Sequence, residues 1–239
     1  MPSVGIFGLA VILGYFVLPL FLKKETLEFF LSRSTAGEAS WRDRILKPLT
    51  DRMDFITPNS VSILGLVLVL LLVYLFREGA SFWLIFLATL LAGFSDMLDG
   101  SLARNSKRVT RLGAFLDVLR DILLAAVVSF YLISADFLAE DLFFWFVVGW
   151  IFMGFIRSLE FKISSGKIFS HEEDYKFALD RLRLFLYIVG ILFLILIPLA
   201  TDFRTLGETL IITSIVLSWI SLLFHSAHLK IFRDEKLGA

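Results

Sequence analysis

Apolar residues run along this chain in long unbroken stretches, separated by short polar and basic segments. The first stretch covers 4–22 and closes on Lys23-Lys24. It lacks a basic leader region and a small-x-small cleavage site, which favours a retained span or a membrane-lying helix over a cleaved signal. Within the basic stretch that follows, Trp41, Ile45, Leu46, Leu49 and Met53 recur at helical spacing among Arg42, Arg44, Lys47 and Arg52. Such a pattern predicts an amphipathic helix over 40–57, lying at the membrane interface. Pro58-Asn59-Ser60 then opens a helix, with Asn59 or Ser60 as N-cap. Six apolar spans follow at 60–77, 82–104, 112–134, 141–162, 180–201 and 207–231, each near the ~20 residues that cross a ~30 Å hydrocarbon layer. Short turns at 77–81 and 135–141 make neighbouring spans antiparallel.

The expected architecture is therefore an all-α integral membrane protein. It comprises an N-terminal apolar segment with a basic connector (1–39), an interfacial helix (40–57), a six-helix transmembrane bundle (58–231) and a short tail (232–239). Whether 4–22 adds a further span is left open by the pattern. Composition agrees: 58% of the 239 residues are hydrophobic and 26 are Phe, well above the soluble-domain norm of about half. The formal net charge is zero, which gives no reason to expect nucleic acid as a partner. Cysteine is absent, so disulfides, thiolate nucleophiles and Cys-based metal sites are excluded.

Charge changes the picture through its placement. Seven Lys and Arg precede residue 58, and Arg104, Lys107, Arg108 and Arg111 follow the second of the six spans. Further Lys and Arg crowd 157–183 and the tail, whereas the opposite loops offer Arg77 and Arg204. By the positive-inside rule the basic side is cytosolic, together with the C-terminus.

Four acids lie inside these apolar spans: Asp96 and Asp99 in one, Asp117 and Asp121 in the next. Each costs roughly 2.5–3.5 kcal/mol at a helix centre on the mildest scale, so they call for a reason. At about 100° per residue, Asp96, Asp99, Gly100 and Ala103 share one sector of their helix, and Gly113, Asp117 and Asp121 share one of theirs. The two helices form a hairpin, and the acids begin about 7 Å below its basic turn. If the sectors face each other, all four converge in one pocket open to the cytosol. Four close carboxylates cannot all stay ionised without compensation. Two divalent cations would balance them, and oxygen ligands select Mg2+, Mn2+ or Ca2+ over Zn2+. Paired metals of this kind clamp phosphate groups. Small residues at Gly100, Ala103 and Gly113 let a ligand or backbone approach closely, and Arg104 at the mouth suits a diphosphate. The competing account is pairing of the acids with Arg104 and Arg120 and simple helix packing. Four acids on two faces with interleaved glycines favour a functional cluster.

At these residues the chain resembles the CDP-alcohol phosphotransferase family, whose signature is D-x2-D-G-x2-A-R-x8-G-x3-D-x3-D. Asp96, Asp99, Gly100, Ala103, Arg104, Gly113, Asp117 and Asp121 meet every fixed position. The resemblance covers roughly 40–231, and Pro58-Asn59 is a weaker family-like feature. It implies transfer of a phosphatidyl-type group from CDP-diacylglycerol or a similar CDP-alcohol to an acceptor alcohol, with release of CMP. It further implies that Asp96, Asp99 and Asp117 hold two Mg2+ or Mn2+ ions and that Asp121 is both ligand and base. Asn59, Gly100, Ala103, Arg104 and Gly113 would line the CDP part. The implied partners are a CDP-linked lipid, a small alcohol or alcohol-phosphate, the bilayer and a second copy of the chain in a homodimer. The implied setting is a multi-pass protein with its active site facing the cytosol, in a prokaryotic plasma membrane. One departure is that Arg120 precedes the last Asp and Ile122 follows it, where many members carry Lys or Arg after it.

Arg157, Arg181 and Arg183 would suit an acceptor with its own phosphate, such as glycerol 3-phosphate or inositol phosphate. They serve equally as positive-inside flanks, and Arg157 with Glu160 is spaced as an ion pair. His225 and His228 are expected to snorkel at a helix end, and His171 to sit in a solvated loop. The alternatives to a transferase are a cation or proton transporter built on intramembrane carboxylates and a catalytically silent binding homologue. No broken helix pair or internal repeat supports the former, and an intact eight-residue signature argues against the latter.

Overall fold

The computed structural model describes residues 9–22, 43–53, 56–106, 110–163 and 178–237. Among the described residues all regular structure is helical. The helices are α1 (Leu9–Phe21), α2 (43–50), α3 (Pro58–Arg77), α4 (Phe82–Asn105), α5 (Arg111–Ser134), α6 (Glu140–Ile163), α7 (Ala178–Ile195) and α8 (Asp202–Leu237). The chain is an integral membrane protein: Pro58–Arg77, Phe82–Asn105, Glu140–Leu159 and Asp202–Ile231 are each long and apolar enough to cross a bilayer.

The two remaining expected spans differ in ways the residues explain. Helix α5 matches α4 in length, at 24 residues, but Asp117, Arg120 and Asp121 interrupt its apolar run. The apolar part of α7 is the short helix Leu182–Ile195, and the chain leaves it six residues before the expected end at 201. Pro198 accounts for this, because it lacks the N–H that would bond to the fourth carbonyl back and disfavours helix in the residue before it. Leu196 and Ile197 instead donate to Phe193 and Leu194 in tightened turns. Helix α1 has 13 described residues, fewer than the ~20 a span requires.

Helix ends follow local chemistry. The cap of α3 is Thr57, whose hydroxyl accepts from the Ser60 amide, instead of the expected Asn59 or Ser60. Pro58 fits the first helical position because its missing N–H would have had no partner there. At the other end Gly79 has φ 61, and the Gly79 and Ala80 amides donate back to Phe76 and Leu75, the paired closure that favours glycine. Thr110 caps α5 by accepting from the Gly113 amide at 2.9 Å.

The chain divides into two compact units. One comprises Met1–Gly37, Glu140–Tyr187 and Ile211–Ala239. Within it Val148, Met153, Ile156 and Leu222 are buried together. His225 and His228 are buried there too, so they do not snorkel. The other unit, Glu38–Ala139 with Ile188–Leu210, holds α2 to α5. Helix α3 packs along α4 and α5 through Val61, Val69 and Leu72 on its buried face. Its opposite face exposes Ile63, Leu64, Val67, Leu70 and Val73, as a lipid-facing helix does.

Gly207 in this unit shows how close the packing is. A Cβ there would lie 2.7 Å from Leu194 Cδ2 and 2.9 Å from the Gly190 carbonyl oxygen. Gly207→Ala is therefore expected to cost about 1–3 kcal/mol through overpacking. Thermal unfolding in detergent measures the loss.

Candidate functional site

Helices α4 and α5 turn their acidic sectors toward each other, and the four carboxylates meet at one side chain, Arg120. Its guanidinium is fully buried. Nη1 donates to Asp99 Oδ2 at 2.6 Å. Nη2 donates to Asp117 Oδ1 at 2.5 Å and Asp121 Oδ1 at 3.3 Å, and also to Asp96 Oδ1. Ser62 of α3 completes the floor, donating to Asp99 Oδ2 at 2.7 Å and to the Pro58 carbonyl at 3.3 Å.

The acids differ in depth. The Asp99 side chain is 5% exposed, Asp121 20%, Asp96 33% and Asp117 45%, so the cluster opens on the Asp117 side. Oxygens of Asp96, Asp99 and Asp117 lie within 4.8 Å of one another, close enough to share a metal ion. A carboxylate donor set suits hard divalent cations. One guanidinium cannot neutralise four carboxylates, and an uncompensated buried charge is costly, so the cluster retains an appetite for further positive charge.

The candidate nucleotide residues form two groups beside this centre. Asn59 Oδ1 accepts from Thr110 Oγ1 at 3.0 Å, and a Cβ at Gly113 would lie 2.8 Å from the same oxygen. Glycine thus lets Asn59 approach the first turn of α5. Arg104 lies alongside Gly100, with a Cβ at Gly100 falling 3.4 Å from Nη1. Ala103, on the same turn of α4, is half-buried. The Arg104 fork is engaged: Nε and Nη2 donate to Asp43 Oδ2 and Oδ1 at 2.8 and 2.7 Å. Ser101 Oγ donates to Asp43 Oδ1 at 2.8 Å, and Asn105 Nδ2 to Thr50 Oγ1 at 2.8 Å. These bonds fasten α2 to the end of α4. Leu46 of α2 is buried while Ile45 and Leu49 remain exposed; residues 40–42, 54 and 55 of the expected interfacial helix lie outside the described residues.

The candidate acceptor residues belong to the other unit. Arg157 is half-buried on α6. Arg183 is buried on α7, with Nη1 donating to Ser218 Oγ at 3.3 Å and its carbonyl accepting from Ser214 Oγ at 2.6 Å. The side chains of Arg181 and Glu160 lie outside the described residues, as does His171.

Pairing of the acids with Arg120, the competing account of the cluster, is observed at all four, whereas two participants escaped the sequence pattern: Asp43 as partner of Arg104, and Ser62 beneath Asp99. Ser62 follows Asn59 by one helical turn, which was a usable signal. Asp43 had none, since 61 positions separate it from Arg104.

A family model described as CDP-alcohol phosphatidyltransferase matches residues 55–225. No curated protein matches the chain.

Proposed function

Because this chain belongs to the CDP-alcohol phosphatidyltransferase family, we propose that it moves a phosphatidyl-type group from CDP-diacylglycerol, or a similar CDP-alcohol, to an acceptor alcohol. The observation that carries this reading is the convergence of Asp96, Asp99, Asp117 and Asp121 inside an apolar helix hairpin. Intramembrane acids are expensive and mark functional sites, and oxygens of three of these lie close enough to share a metal ion.

Asp96, Asp99 and Asp117 would hold divalent metal, Mg2+ or Mn2+, with Asp121 as a further ligand. Two such ions would neutralise the diphosphate and offset the charge that builds on the departing CMP. Asn59, Gly100, Ala103, Arg104 and Gly113 take the CDP part. Glycine leaves room for the nucleotide backbone, and Arg104 exchanges Asp43 for a diphosphate oxygen, which its planar fork fits. Asp121 accepts the proton of the acceptor hydroxyl. The acceptor oxygen then bonds to the β-phosphorus, the bond from that phosphorus to the CMP oxygen breaks, and CMP leaves with the electron pair. Positioning by the helix hairpin carries much of the rate enhancement.

For the acceptor we favour a phosphorylated alcohol such as glycerol 3-phosphate or inositol phosphate, with Arg157, Arg181 and Arg183 as its cationic contacts. The basic flanks of the hairpin support a cytosolic mouth, and we place the protein in a prokaryotic plasma membrane. Six membrane crossings and a homodimer fit the family's organisation. The deciding experiment supplies purified protein with CDP-diacylglycerol, Mg2+ or Mn2+ and a panel of alcohols and alcohol phosphates, and follows CMP. Metal-dependent release with one acceptor is expected. Failure of every acceptor to yield CMP would defeat the proposal.

A further inference from the structure

Arg120 rests on the same carboxylates that could hold a divalent ion. Its Nη2 is shared among oxygens of Asp96, Asp117 and Asp121, and its Nη1 rests on Asp99. A divalent ion held by Asp96, Asp99 and Asp117 would draw on carboxylates whose charge this guanidinium already engages. The side chain is built in, with no part of it exposed. Gly65 of α3 opens the slot for its stem: a Cβ there would come 2.6 Å from Arg120 Cδ and would collide with Ser95 Oγ. Arg120 Nε is buried and makes no hydrogen bond among the described residues, so the carboxylates alone hold the guanidinium by hydrogen bonds. A guanidinium does not deprotonate in proteins. It can make way for a metal by moving, not by losing its charge.

We infer that Arg120 is the resident cation of the carboxylate cluster, holding the four acids together when metal is absent and competing with divalent metal for their oxygens. The inference rests on the metal-dependent reading above and adds a residue that sets how much metal the site needs. Its consequence separates it from a structural role. A guanidinium that merely scaffolds the site would, on removal, weaken metal binding along with stability. A competitor would, on removal, lower the stability of the metal-free protein and tighten its hold on metal.

Mn2+ titration of the detergent-purified full chain, with free Mn2+ read by electron paramagnetic resonance, distinguishes the two. Arg120→Gln is expected to bind Mn2+ about tenfold or more tightly than the wild type, because no like charge then has to be moved off the carboxylates. Its melting temperature without metal should fall, and Mn2+ should raise it by more than in the wild type. Arg120→Lys keeps the charge on a single nitrogen that cannot span all four acids. It should gain several-fold in affinity, and it carries the test if Arg120→Gln does not fold. Equal or weaker Mn2+ affinity in the folded variants would overturn the inference while leaving metal-dependent CMP release untouched. Absence of Mn2+ binding in all three proteins would overturn both.

Discussion

Asp121→Asn is expected to lower CMP release by about two to four orders of magnitude, the range lost with a general base, while CDP-lipid binding largely survives. Asparagine keeps the shape and one carbonyl oxygen of the side chain but cannot take the proton of an acceptor hydroxyl. It should also disturb its neighbours least of the four positions. The Arg120 contact to Asp121, at 3.3 Å, is the longest in the cluster, and Asp121 stands outside the trio whose oxygens gather within 4.8 Å. Rate and affinity should therefore part company, which steady-state CMP release together with equilibrium binding of the CDP-lipid would reveal. A variant that turns over as fast as the wild type would strip Asp121 of the role of base. The most exposed acid, Asp117, would then be the next candidate.

The hairpin and its acids were legible because helical periodicity is local. Spacings of three and four residues place Asp96 with Asp99 and Asp117 with Asp121 whatever the rest of the chain does, and the structure brings the two sectors together. What the periodicity could not show was the object at their meeting point. An arginine next to aspartates reads equally as a surface ion pair; its burial depends on the slot opened by Gly65 on another helix. The pair between Arg104 and Asp43 is hidden for the same reason, since a salt bridge across 61 positions leaves no trace in local pattern.

Membrane crossings were harder to read than the site. Long apolar runs identify α3, α4, α6 and α8. The expected end at 201 neglected Pro198, and the expected cap at Asn59 or Ser60 neglected the preference of proline for the first helical position, which moves the cap back to Thr57. The expectation that His225 and His228 snorkel failed because α8 continues to Leu237. Neither histidine is therefore at a helix end, and both are buried.

Asp99→Ala should be more destructive than any change at Asp121, because it removes structure and site together. Asp99 is the deepest of the four acids, and one oxygen, Oδ2, accepts both from Ser62 of α3 and from Arg120 of α5. Three helices are thus joined through one atom. Truncation leaves the buried Arg120 Nη1 short of an acceptor and the Ser62 hydroxyl with only its longer bond to the Pro58 carbonyl. Breaking a buried charge pair costs about 3–5 kcal/mol when nothing replaces it; here Arg120 keeps its bonds to the other three acids, which places the loss near the lower end. Ser62→Ala removes the weaker of the two bonds and should cost about 1 kcal/mol with Mn2+ binding preserved. Asp99→Ala should lower the melting temperature well beyond that, lose high-affinity Mn2+ and release no measurable CMP. Thermal unfolding and Mn2+ titration on the two variants side by side decide the matter. Were Asp99→Ala as stable as Ser62→Ala, the buried oxygen would not be joining the helices. Were it also to bind Mn2+ like the wild type, the floor of the cluster would lie elsewhere than at Asp99.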